Sequence, residues 1–130
     1  MQAALRLVRY LKGSINVGLF YKSDLELKVT CFCHADWGTC AYSGRSLTGY
    51  CVFLETSLIS WKTKKQNTVS KSSAESEYRS MSHTSSELVW IRELLHDLQV
   101  QISLPTILYC DNDAAQHIAA NPVFTSVRNI

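Results

Sequence analysis

Along residues 72–98 one stripe recurs every three or four positions: Glu77, Met81, Thr84, Leu88, Ile91, Leu95 and Leu98. That period predicts a single long helix with the stripe turned toward a core. Ser72 and Glu75 spell an S-x-x-E capping box at its start, in which each side chain satisfies an orphan amide. Glu77 is the exception within the stripe, because a charge on an apolar face costs about 2 kcal/mol or more unless it is paired, metal-bound or at the rim. Two readings are open for it: a carboxylate fraying into solvent at the first turn, helped by the helix dipole, or a carboxylate with a partner.

Elsewhere the period changes. Residues 3–11 carry helical apolar spacing (Ala4, Leu5, Val8, Leu11) and stop at Gly13, which predicts a short amphipathic helix. From Leu25 to Cys33 the odd positions are apolar and Glu26, Lys28 and Thr30 are polar, the alternation of a half-buried strand; His34 and Asp36 continue the even face just past its end. Two runs rich in β-branched and aromatic residues, 47–54 and 58–62, are separated by Glu55, Thr56 and Ser57 and predict a hairpin, so three consecutive strands make an antiparallel meander. After the long helix and Pro105 comes a short β-rich run, 106–110, ending at Asp111. A strand reached through a crossover helix is normally parallel to an earlier one, which sets Asp111 beside the end of the first strand. Residues 112–120 predict a second helix closed by Asn121 and Pro122, and residues 124–130 show no pattern. The fold class expected is α/β: a mixed sheet of three antiparallel strands and a parallel fourth, flanked by helices.

Composition narrows this to one domain, since 130 residues at 46% hydrophobic content support one modest core. A net charge of +2 provides no global field for nucleic acid, so any basic surface must be local, and Lys62, Lys64, Lys65 and Lys71 supply one cluster. Five cysteines without paired C-x-x-C spacing argue against a disulfide framework or zinc ribbon and for a reducing compartment. Neither a signal peptide nor a membrane span is legible, so the expected location is cytoplasmic or nuclear, with no membrane partner.

Carboxylates from a first strand, a crossover helix and a fourth strand, converging at one sheet edge, are hard oxygen ligands of the kind Mg²⁺ selects. Two such ions roughly 4 Å apart can drive phosphodiester cleavage. The plain alternative is that acids following strands are ordinary loop residues.

The runs HADW, GRSLTGYCVFLETSLISWKTKKQNTVSKSSAESEYRSM, LVWIRELL and LYCDNDAAQHIAANPVF resemble the ribonuclease H domain of copia-type LTR retrotransposon polyproteins. AALRLVRYLKGS resembles the tail of the reverse transcriptase region before that domain, so residues 1–20 are expected to belong to the tail and 21–130 to the ribonuclease H-like domain. The resemblance implies cleavage of the RNA strand of RNA:DNA hybrids with two Mg²⁺ ions held by four carboxylates, alongside other retroelement polyprotein domains as partners. It matches the helix glutamate to Glu77 and the fourth-strand aspartate to Asp111. The family's D-A-D-W reads His34-Ala35-Asp36-Trp37 here, so His34 stands where the first metal-binding aspartate is expected. Asp36 shares the even face about 6 to 7 Å further on and reaches a metal only if the strand bends. The family also continues into another strand and a last helix with the fourth acid, so an incomplete copy with impaired cleavage is expected.

The expected site is therefore Glu77, Asp111, Asp36 and His34, with Glu77, Asp111 and Asp36 as the metal ligands. Arg45, Ser46, Thr48, Lys62, Lys64 and Lys65 are the expected phosphate contacts, against the reading that hairpin ends are ordinarily polar. A non-catalytic nucleic-acid-binding or protein-interaction remnant of the same fold is the second functional class. His117 is read as an exposed helix residue, Cys31 and Cys33 as reduced core thiols, and Trp37, Trp61 and Trp90 as core or rim packing.

Overall fold

The structure is a computed structural model, and it describes residues 1–23 and 27–121. The expected strand start at Leu25, the helix stop at Pro122 and the patternless segment 124–130 lie outside them. The elements in chain order are α1 (Gln2–Gly13), β1 (Lys28–Asp36), β2 (Leu47–Leu54), β3 (Ser57–Lys65), α2 (Ser73–Asp97), β4 (Ser103–Cys110) and α3 (Asp113–Ala120). One four-stranded sheet has the order β3-β2-β1-β4. Its first three strands are antiparallel neighbours, and β4 pairs parallel to β1.

β1 alternates as its sequence does. Val29, Cys31, Cys33 and Ala35 are buried against α2, while Phe32, His34 and Asp36 stand on the open face. The strand runs straight through Asp36 rather than ending at Cys33, because β2 pairs with it as far as Asp36↔Leu47. β4 stops sooner, opposite Cys33 at Cys110. On the open face Phe32 stacks on Tyr109 at 4.9 Å and meets Phe53 edge-on at 6.0 Å, tying three strands together across the pleat.

The core comprises Val29, Cys31, Cys33, Tyr50, Val52 and Ile91, with Met81, Leu88 and Leu95 packed against it. The helical stripe is thus the buried one, except that Leu98 is exposed just beyond the last turn. Three small hydroxyl residues, Ser76, Ser80 and Thr84, are also fully buried on α2. Each hydroxyl donates to a backbone carbonyl: Ser76 to Ser73, Thr84 to Ser80, and Ser80 across to His34 of β1 at 3.0 Å. With no bulk at these positions, the first turns of α2 pack directly on Cys33 and Ala35 of β1.

Two further boundaries differ from expectation. β3 continues to Lys65, so Lys62, Lys64 and Lys65 lie within an edge strand rather than after it. β4 starts at Ser103 and includes Pro105, which an outer strand tolerates because one side of its backbone needs no ladder partner. α1 buries none of its side chains among the described residues.

Candidate functional site

The site forms where β4 ends before β1 does. Past Cys110 the ladder leaves the Ala35 amide without a strand partner, and Glu77, in the second turn of α2, takes it: Glu77 Oε1 accepts from Ala35 N at 2.9 Å. Glu77 is only 3% exposed, which excludes the solvated reading of this carboxylate. Its other oxygen accepts from the Cys110 thiol at 3.7 Å. The capping work falls to Glu75, whose backbone amide donates to Ser72 Oγ at 3.1 Å, whereas its carboxylate accepts from the Lys71 amide instead of closing the box on Ser72.

Asp111 is the first residue after β4, and Asn112 behind it caps α3 by accepting from the Ala115 amide at 2.9 Å. Gln116 of α3 donates to the Cys110 carbonyl at 2.7 Å and fixes the turn that carries Asp111. The parallel pairing of β4 with β1 then sets Asp111 beside His34.

His34 lies at the centre of the acids. Its Nδ1 is 2.9 Å from Glu77 Oε1 and 3.2 Å from Asp111 Oδ2, and its Nε2 is 3.3 Å from Asp36 Oδ1. Partial burial of the ring works to lower its pKa, but the Glu77 charge, the hydrogen bond and charge of Asp111, and the Asp36 hydrogen bond outweigh it and hold the pKa above the ordinary value. Burial raises the nearby Cys110 thiol, with Glu77 and Asp111 adding to it, and pushes Cys33 up to about 12. Among the described residues, His34, Glu77 and Asp111 form the one group whose ligand atoms lie close enough for a shared cation, all within 4.8 Å of one another.

Glu77, Asp111 and His34 therefore come together, and Asp36 sits apart from the first two. The continuous strand keeps Asp36 on the far side of the imidazole, so it meets Nε2 while the other acids meet Nδ1. Counting residues along a strand left out the ring's own width, which is why this division was not legible beforehand.

The expected phosphate contacts divide as well. Ser46 and Thr48 are buried; Ser46 Oγ accepts from the Gly38 amide and Thr48 Oγ1 from Gln66 Nε2, so both hydroxyls hold loops rather than face outward. Arg45 is half-buried, two residues before β2. Lys62, Lys64 and Lys65 are exposed along β3, with Lys65 in the same cross-strand row as Leu47 and Asp36. Lys64 and Lys65 line a cleft of about 180 Å³ together with Arg79 and His83 of α2, two side chains whose place beside the lysines is not legible in the sequence. Trp37 is half-exposed, its indole N–H donating to the Ser70 carbonyl, and Trp61 and Trp90 are exposed, so all three belong to the surface rather than the core. His117 is exposed in α3, and Cys31 and Cys33 are buried free thiols. No described helix is long and apolar enough to cross a membrane.

No family model matches the chain, and no solved structure matches it significantly. Among curated proteins it is similar to the retrovirus-related Pol polyprotein from transposon RE1 of Arabidopsis thaliana, at 44% identity over 97% of this chain and 9% of that protein. The corresponding polyprotein from transposon RE2 of the same plant is 46% identical over 93% of the chain and 8% of its own length. That from transposon TNT 1-94 of Nicotiana tabacum is 30% identical over 91% and 9%. Nearly the whole chain is thus homologous to one short segment, about a tenth or less, of retrovirus-related transposon Pol polyproteins.

Proposed function

We propose that residues 21–130 are a ribonuclease H-like domain of a retrotransposon Pol polyprotein, that residues 1–20 are the tail of the preceding reverse transcriptase region, and that the domain binds RNA:DNA hybrids while cleaving the RNA strand weakly or not at all. The observation that carries this reading is the gathering of Glu77 and Asp111, distant in the chain, around one residue of β1 at a shared sheet edge. The homologous Pol polyproteins and the antiparallel meander with its parallel fourth strand support it.

Impairment follows from the donors. Mg²⁺ takes oxygen ligands in near-ideal octahedral geometry, and a magnesium pair needs carboxylates on both sides of a small gap. Here an imidazole occupies the position between Glu77 and Asp111, and the third acid, Asp36, is screened behind the ring. These residues do not fit two magnesium ions. Changes to groups behind a metal's ligands cost roughly 10 to 100-fold in affinity or activity, so loss of a ligand carboxylate costs at least that.

Binding stands on different residues. Lys62, Lys64 and Lys65 on the outer strand offer exposed cations to phosphates, and the duplex is recognised by backbone shape more than by bases. The reading is tested by titrating the chain with an RNA:DNA hybrid and with duplex DNA at several salt concentrations, and by following RNA cleavage in Mg²⁺. Expected are hybrid binding that falls steeply with salt, a salt slope reduced by about 1 for each phosphate-contacting lysine removed, and cleavage at or near background. Absence of hybrid binding, or a flat salt response, overturns the binding claim; rapid cleavage abolished by Glu77→Ala overturns the claim of impairment. The non-catalytic reading is favoured over full activity by His34 alone.

A further inference from the structure

The sheet edge holds a donor set of mixed chemistry rather than a depleted magnesium site. Two ligand atoms bound about 2.1 Å from one ion, at angles between a right angle and the tetrahedral value, stand roughly 3.0 to 3.4 Å apart. The distances from His34 Nδ1 to Glu77 Oε1, 2.9 Å, and to Asp111 Oδ2, 3.2 Å, are close to that spacing. One nitrogen and two carboxylate oxygens thus lie within 4.8 Å of one another, and the exposed side chains of His34 and Asp111 leave room for the donors to close on a small cation and for water to complete its shell.

Asp36 gives the ring a direction. With Oδ1 at 3.3 Å from Nε2, it can accept from a proton on that nitrogen, so that an ion arriving between Glu77 and Asp111 displaces only the proton on Nδ1. A carboxylate behind the imidazole in this way is how metal-bound histidines are commonly oriented and made more basic. Glu77 is held just as firmly by the Ala35 amide.

We propose that His34, Glu77 and Asp111 bind a single divalent cation of the nitrogen-accepting class, of which Zn²⁺ is the probe, in preference to Mg²⁺, with Asp36 as the positioning residue. The inference takes from the reading above only that this edge is the domain's site. Imidazole suits zinc and the later transition metals, whereas magnesium is a poor acceptor of nitrogen and loses its water reluctantly. One histidine in place of an acid thus changes which ion the edge selects as well as how tightly it is held.

The test is calorimetric titration of the reduced full chain with ZnCl₂ and separately with MgCl₂, in wild type, His34→Ala, His34→Asp and Asp36→Asn, with ¹⁵N-histidine NMR as a site-resolved readout. The expected result is one Zn²⁺ per chain, weakened at least tenfold in His34→Ala and about tenfold in Asp36→Asn. On adding zinc, the Nδ1 resonance of His34 moves while Nε2 keeps its proton. Magnesium produces no matching heat in wild type, and His34→Asp exchanges the preference toward it. Zinc binding that persists in His34→Ala, as ligation by the neighbouring Cys33 and Cys110 thiols would give, overturns the proposal; so does magnesium binding in wild type as tight as zinc. Hybrid binding measured in chelator separates the two claims. A chain that holds zinc through His34 but ignores hybrid loses only the domain reading, and one that binds hybrid but no zinc loses only this inference.

Discussion

Glu77 Oε1 lies 2.9 Å from the amide nitrogen of Ala35, so α2 and β1 meet through a charge-assisted hydrogen bond where β4 has already ended. That contact gives a buried carboxylate a structural partner independent of any ion. Glu77→Ala leaves the Ala35 amide unpaired in the interior and is expected to cost about 2 kcal/mol, while Glu77→Gln, which keeps an acceptor, costs roughly half as much. Urea denaturation of both variants checks this. Equal stability of Glu77→Ala and wild type would remove the structural role.

His34 makes stability depend on pH. Its pKa is raised in the folded state above the ordinary 6.5 of a free histidine, so the protonated ring binds its acids more favourably when folded. The contribution is fully present below about pH 6.5 and is lost as pH rises through the raised folded value. The stability gap between wild type and His34→Asn is therefore expected to narrow as pH rises above about 6.5, read from denaturation midpoints at each pH. A gap that widens with pH contradicts the arrangement of acids around the ring.

Three of the five cysteines are expected to divide into two reactivity classes. The Ser43 hydroxyl and amide beside Cys40, with Lys65 further off, hold its thiol down to about 7, whereas burial pushes Cys31 and Cys33 up to about 12. Iodoacetamide near neutral pH should modify Cys40 first, in a phase that Cys40→Ser abolishes, leaving Cys31 and Cys33 unmodified until the chain unfolds. Mass spectrometry of the alkylated peptides reads the order directly, and early modification of Cys31 would contradict it.

Ser80 is fully buried between α2 and β1. Ser80→Leu brings a branched side chain against the His34 carbonyl and is expected to destabilise by about 1 to 3 kcal/mol, while Ser80→Ala, which loses one hydrogen bond but keeps the size, costs about 1 kcal/mol. Thermal denaturation of the pair distinguishes crowding from the lost bond. A fully stable Ser80→Leu would mean that α2 does not sit where Ser80 places it.

Periodicity made the framework legible. The stripe from Glu77 to Leu95, the alternation of β1 and the crossover to a parallel fourth strand were each written in the spacing of apolar residues, because burial of one face is what fixes register. The carboxylate on the helix was legible for the same reason: it broke its own stripe. Less could be read where short polar residues act through the backbone. Ser76 and Ser80 look like solvent residues in sequence, and only the carbonyls they meet make them interior ones. Ser46 and Thr48 likewise read as phosphate contacts until their hydroxyls are found holding Gly38 and Gln66. The division of acids across the two nitrogens of His34 required coordinates, since strand period gives a residue's face but not the breadth of the ring between neighbours on it.

The row of hydroxyls on α2 has a bearing on how accurately the acids are aligned. A greasy contact can slide by a fraction of an ångström with little change in energy, but Ser80 answers to one particular carbonyl on the residue that carries the imidazole. The helix is in effect pinned to the strand at the same point where its carboxylate meets the ring, so sliding one against the other there must break both the Ser80 bond and the Glu77 bond.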